Sequence, residues 1–113
     1  MKVIKGVGPD AEISVNEKGG KQSKALYRMD LIDPYAILKA AKVLAEGAEK
    51  YGKDNWRLIP CEDHINHAII HFYSWLAGDR SDEHLAHALC RAIFAVASDP
   101  EDPSPLQPID LED

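Results

Sequence analysis

The chain has 113 residues, 45% hydrophobic and 28% charged, ordinary values for one globular domain with a modest core that oligomerisation would help. Its formal net charge of −6, with acids gathered toward the C-terminus, argues against a nucleic-acid backbone reader, which needs a basic stripe. It leaves a nucleotide enzyme open, because a metal offsets phosphate charge locally. Cys61 and Cys90 have no metal or redox spacing, the first residues lack a signal-peptide pattern, and no apolar run approaches the roughly 18 residues of a membrane span. A reducing cytosol is the expected compartment.

Residues 1–18 read as an irregular arm with a brief strand near Ala11–Val15, and Gly19-Gly20 reads as loop. Asp33-Pro34 predicts a helix start, an acid at the N-cap and proline in the first turn, with Gly52 ending the helix near Tyr51. Its apolar stripe is Ile37, Ala41, Leu44 and Ala48, widened by Leu38 and Ala45. Glu46 then falls on the opposite side and Glu49 at the border. A second helix is expected from about Glu62 to Ala77, stopped by Gly78, with Ile65, Ile69, Phe72 and Leu76 inward. Beside that stripe runs another of His64, His67, His71 and Trp75, with His64 near the helix start expected to be exposed. Ser81 is the expected N-cap of a third helix to about Ser98, with core residues Leu85, Leu89, Ala92 and Val96 and a second stripe of His84, His87 and Arg91. Short connections predict antiparallel neighbours. The acidic, proline-rich residues 99–113 read as a flexible or surface-draped tail. The fold class is therefore all-α: a small bundle of three main helices over 19–98, completed by oligomerisation, with an irregular arm and tail.

Several groupings carry chemistry. Glu46 and Glu49, at i and i+3, suit either a divalent cation or a solvated salt-bridge face. His84 and His87 lie one turn apart, able to share a metal, and Arg91 follows with a fork suited to phosphate oxygens. Asp79 and Asp82 stand by as ligands or their supports. His71, deep in its helix, is the best placed of its stripe for proton transfer or phosphate contact. Tyr51 and Trp56 are either core aromatics or, with Lys50, Asn55 and Arg57, a base-stacking group. The cysteines are most simply small hydrophobes.

Gly-Gly-Lys-Gln at 19–22, Leu-Ile-Asp-Pro at 31–34, Glu-Gly-Ala-Glu-Lys-Tyr-Gly with Asn-Trp-Arg at 46–57, and His-Leu-Ala-His-Ala at 84–88 together resemble the phage dATP/dGTP diphosphohydrolase domain. That domain belongs with the MazG-like all-α nucleoside triphosphate pyrophosphohydrolases. The resemblance covers roughly residues 19–97. It implies a dimeric or tetrameric helical enzyme in the cytoplasm of a phage-infected or prophage-bearing bacterium. The enzyme would cleave a (deoxy)nucleoside triphosphate at the α–β bond with Mg²⁺ or Mn²⁺. The superfamily holds its metals with ExxE on one helix and ExxD on a later one. Glu46-Gly-Ala-Glu49 matches the first, whereas His84-Leu-Ala-His87 stands where the second aligns. The ligands are then Glu46, Glu49, Asp79, His84 and His87, with transition metals favoured by imidazole. Alternatively Asp79, Asp82 or Glu83 supply the oxygens and the histidines contact phosphate.

On this reading Glu46, Glu49 and His71 are catalytic, and Lys21, Lys50 and Arg91 hold phosphates. Tyr51, Asn55, Trp56 and Arg57 frame the base. A His/Asp-type metal phosphohydrolase is a second possibility, although Asp63-His64 has that pair reversed. A non-catalytic helical module that binds a metal or a partner is a third.

Overall fold

The computed structural model describes residues 2–106 and 108–110 and divides into two compact units, Met1–Leu31 with Pro103–Asp113, and Ile32–Asp102. In the first, strand β1 (Lys2–Ile4) pairs antiparallel with a strand at Pro108–Asp110, so the tail contributes ladder hydrogen bonds as well as loop. Strands β2 (Ile13–Val15) and β3 (Lys21–Ser23) form a hairpin. The expected strand is present, and the Gly19-Gly20 loop is its turn. The Asn16 side chain accepts from the backbone N–H groups of Lys18 and Gly20 at 3.0 and 2.8 Å, which closes the turn locally.

The second unit holds three helices: α1 (Pro34–Tyr51), α2 (Cys61–Leu76) and α3 (His84–Ser98). Together they make the chain mostly helical. Asp33 caps α1 as its sequence predicts, its carboxylate accepting from the Ala36 N–H at 2.9 Å. Gly52 and Gly78, at φ of 93° and 95°, take the left-handed backbone that ends α1 and α2 without a Cβ clash. The third start differs. Ser81 does not cap α3, because the helix begins at His84 and Glu83 occupies the N-cap position, without a side-chain bond; the Ser81 N–H donates to Asp79 at 2.8 Å in the preceding turn.

Helix α3 is the middle element, packing against both α1 and α2. Contacts between Cys61 and Ala95, His64 and Arg91, and His71 and His84 run in opposite chain directions, so α2 and α3 are antiparallel. The buried faces are not the large apolar stripes. Among the described residues the buried apolar side chains are Ala40, Ala68, Ala86, Ala88 and Cys90, and the largest fully buried side chain is His64. On α1 the inward face is Ala40 with half-buried Val43 and Gly47, whereas Ile37, Leu38, Ala41, Leu44, Ala45 and Ala48 are exposed. On α2, His64 and Ala68 point inward while Ile65, Ile69, Phe72 and Leu76 remain exposed. On α3, Ala86, Ala88 and Cys90 are buried, Leu89 and Ala92 half-buried, and Leu85 and Val96 exposed.

Small side chains let the helix backbones approach. Both cysteines serve as small fillers, their thiols donating to backbone carbonyls at 3.3 Å, Cys61 to Ala95 and Cys90 to Ala40. Burial raises the Cys90 pKa, which keeps it a thiol.

The inverted burial yields a direct test. Ala88→Leu, at a position 0% exposed, should cost about 1–3 kcal/mol by overpacking. Val96→Ala, at a position 78% exposed, should stay within about 0.5 kcal/mol. Urea unfolding midpoints measure both; a large loss at Val96 with none at Ala88 would restore the periodicity assignment.

Candidate functional site

The polar residues of the helical unit gather along the α2–α3 seam and at the loop leading into α3. At one end of the seam His64, fully buried rather than exposed, is held at both ring nitrogens. The Trp56 carbonyl lies 3.0 Å from Nε2 and accepts only, so Nε2 carries the proton and donates. Nδ1 then has a lone pair, which accepts from Arg91 Nη1 at 3.1 Å. Phe94 packs against this group, its ring centroid 5.2 Å from that of His64 and stacked at 4.7 Å on Trp56. His64 therefore ties the 3-10 turn Asn55–Leu58 to α3 and fixes the Arg91 side chain. The steps of three and four from His64 through His67 to His71 marked the stripe; only packing shows which of its members are buried, and His67 is exposed.

At the other end stands an imidazole cluster. His71 Nδ1 is 3.0 Å from His84 Nδ1, and His84 Nε2 is 3.0 Å from Asp79 Oδ2. The Asp79 carboxyl is held at about 2, chiefly by the Ser81 backbone N–H, then by the Ser81 side chain and His84. It is an acceptor, so His84 donates from Nε2. With both rings neutral, His84 Nδ1 accepts from His71 Nδ1–H, and His71 Nε2 keeps a bare lone pair. Burial pushes the His71 pKa down, and His87, His84 and Arg91 push it further. The His87 ring stacks on His71 at 4.9 Å, and its Nε2 lies 3.4 Å from Asp82 Oδ1. The Asp82 pKa is lowered by the Glu83 backbone N–H and by these imidazoles.

Helix α1 closes over this region. Glu46, which the helical wheel set away from the core, lines a cleft of about 70 Å³ together with Lys39, Lys42, Asp82, Glu83 and His87. The wheel fails because α1 packs through Ala40 and Val43, one residue or about 100° round the helix from its large apolar stripe, and this carries Glu46 round to α3. No second chain is needed to bring it there. Lys39 bonds Glu83 at 2.7 Å across the mouth. Adjoining this cleft, and sharing Lys39, Asp82 and Glu83 with it, is a cavity of about 670 Å³ walled by Tyr35, Trp75, Arg80, His84 and Leu89.

The other candidates lie elsewhere. Glu49 is exposed and lines neither cavity, and Lys21 belongs to the hairpin unit. Lys50 sits 5.0 Å from the exposed Tyr51 ring. Half-buried Asn55 starts the 3-10 turn, and Arg57 covers Trp56 at 4.3 Å and binds Asp54 at 3.2 Å. Two carboxylates and an imidazole suit a hard divalent cation chemically. Among the described residues no three His, Cys, Asp or Glu side chains converge as a ready metal cage.

These shifts set the acid behaviour. Folded His71 binds its proton at lower pH than an unfolded imidazole near 6.5, so the unfolded chain binds more protons as pH falls through that value. Stability should decline below that pH, and His71→Asn should flatten the decline. The Asp79 contribution should be lost later, between 3.8 and about 2. Urea midpoints across pH read both effects; an acid slope unchanged in His71→Asn would remove His71 as its source.

No curated protein and no solved structure matches the chain. The family model described as dATP/dGTP diphosphohydrolase, N-terminal, matches residues 16–104, which takes in β3, all three helices and the residues lining both cavities. The chain belongs to that family and is a dATP/dGTP diphosphohydrolase-type domain.

Proposed function

We propose that this domain hydrolyses a purine deoxynucleoside triphosphate at the α–β bond, giving the monophosphate and pyrophosphate, with a divalent cation. The observation that carries this reading is that Glu46 from α1 lines one cleft with Asp82, in the loop before α3, and His87 of its first turn. Glu46, Asp82 and His87 are the side chains that would close on Mg²⁺ or Mn²⁺. When bound, the cation neutralises triphosphate charge and acidifies a water. His71 Nε2 offers a neutral lone pair to take the proton from the attacking water. His84, with both ring nitrogens engaged, orients His71, and Asp79 holds His84 in the tautomer this requires. Arg91, fixed through His64, and Lys42 supply positive charge for the phosphates.

A homo-oligomer is part of the proposal. A core of alanine, cysteine and histidine leaves little apolar burial to offset chain entropy, while Ile65, Ile69, Phe72 and Leu76 present a continuous exposed row on α2. We propose that a second copy covers that row.

Two measurements test these points. Purified protein with Mn²⁺ and dATP or dGTP should release pyrophosphate, and Glu46→Gln and Asp82→Asn should each lower kcat by about 100-fold or more. Orthophosphate or triphosphate as product would favour a His/Asp-type phosphohydrolase, and no turnover with any metal would favour a binding module. Light scattering should give at least a dimer, and Phe72→Asp should shift it to monomer; a monomeric parent protein sinks the oligomer proposal.

A further inference from the structure

Trp56 cannot be the base platform that its neighbours in sequence suggest. The Phe94 ring lies parallel to it, at 7° and 4.7 Å, and the Arg57 guanidinium sits 4.3 Å from the same ring. With a phenyl ring and a guanidinium both laid over it, the indole has little π-surface left for a nucleobase. The Trp56 carbonyl is also engaged by His64. Trp56 is a strut of the fold.

The second tryptophan stands differently. Trp75 walls the cavity of about 670 Å³ together with Tyr35, Arg80 and Lys39. That volume lies within the range of about 300–1,000 Å³ usual for small-molecule pockets. The Arg80 guanidinium lies 4.4 Å from the Trp75 ring and is fixed there, Nη1 donating to the carbonyls of Trp75 at 2.8 Å and Asp79 at 3.0 Å. An arginine so held keeps Nε and Nη2 as donors in a planar fork. Tyr35 adds a second aromatic ring, and Lys39 lies 5.6 Å from its centroid. This cavity and the acidic cleft share Lys39, Asp82 and Glu83, so a molecule with phosphates beside Glu46 and Asp82 extends directly into it.

We infer that the nucleoside half of the substrate occupies the cavity of Tyr35, Trp75 and Arg80, with its base against the aromatic rings and the Arg80 fork. The inference rests on the proposed triphosphate hydrolysis. It moves base recognition from the Tyr51–Arg57 segment to the start of α1 and the α2–α3 connection.

The chain has two tryptophans, which makes the test clean. Trp56→Phe leaves Trp75 as the lone indole, and Trp75→Phe leaves Trp56. Each full-length variant is titrated with a non-hydrolysable α,β-methylene analogue of dGTP or dATP in the presence of Mn²⁺. Trp75 emission should change saturably in Trp56→Phe, and Trp56 emission should stay constant in Trp75→Phe. In kinetics, Tyr35→Ala and Arg80→Ala, both at exposed positions, should raise KM by about fivefold or more with kcat little changed. Saturable quenching confined to Trp56, or KM unmoved in both alanine variants, overturns the placement. Pyrophosphate release with a silent Trp75 overturns this inference alone; no nucleotide binding and no pyrophosphate overturns the hydrolase reading with it.

Discussion

The helical unit depends on a polar seam between two antiparallel helices. Where α2 and α3 meet, the side chains that reach across are His64 to Arg91 and His71 to His84, not leucine to leucine. Such a seam is stable only when each ring nitrogen has a complementary partner, because an unpaired polar group in the interior costs about 1–3 kcal/mol. The condition is met: no buried side-chain nitrogen or oxygen among the described residues lacks a partner. The donor and acceptor roles follow from fixed acceptors at each end, the Trp56 carbonyl for His64 and the Asp79 carboxylate for His84.

That arrangement links stability to the proposed chemistry. A chain of bonds from Asp79 through His84 leaves one basic nitrogen, on His71, within the fields of Asp82, in the loop before α3, and the Arg91 guanidinium. The same close approach that makes the seam possible, through Ala68, Ala86, Ala88 and Ala40, places Glu46 on the cleft that Asp82 and His87 line. Larger residues at those positions would separate the helices and open the cleft. The cost is an apolar row on α2 left exposed, the face on which a second copy is proposed.

Much of the fold was legible in the chain. Asp33-Pro34, Gly52 and Gly78 mark helix ends by local chemistry, and the structure uses all three. The histidine stripe was legible as a stripe. Its burial was not, since periodicity ranks faces by hydrophobicity and assumes that the most apolar one turns toward its own chain. Here alanine and histidine turn inward. Glu46 was recognised as a candidate from its spacing, yet its wheel position argued against it for the same reason. Ser81 failed as a cap because α3 begins at His84, two residues later than a Ser81 cap would start it, the intervening turn being held by the Ser81 N–H on Asp79.

By itself the sequence determined where the helices begin and end, which residue types could do metal or proton chemistry, and which family they resemble, because these rest on local backbone preferences and on short motifs. Only the tertiary structure decided which face of each helix is buried, that Glu46 lines a cleft with Asp82 and His87, and that Trp56 packs on Phe94 while Trp75 borders a cavity. Those outcomes depend on how closely helices distant in sequence approach, and that distance is set by packing all three together.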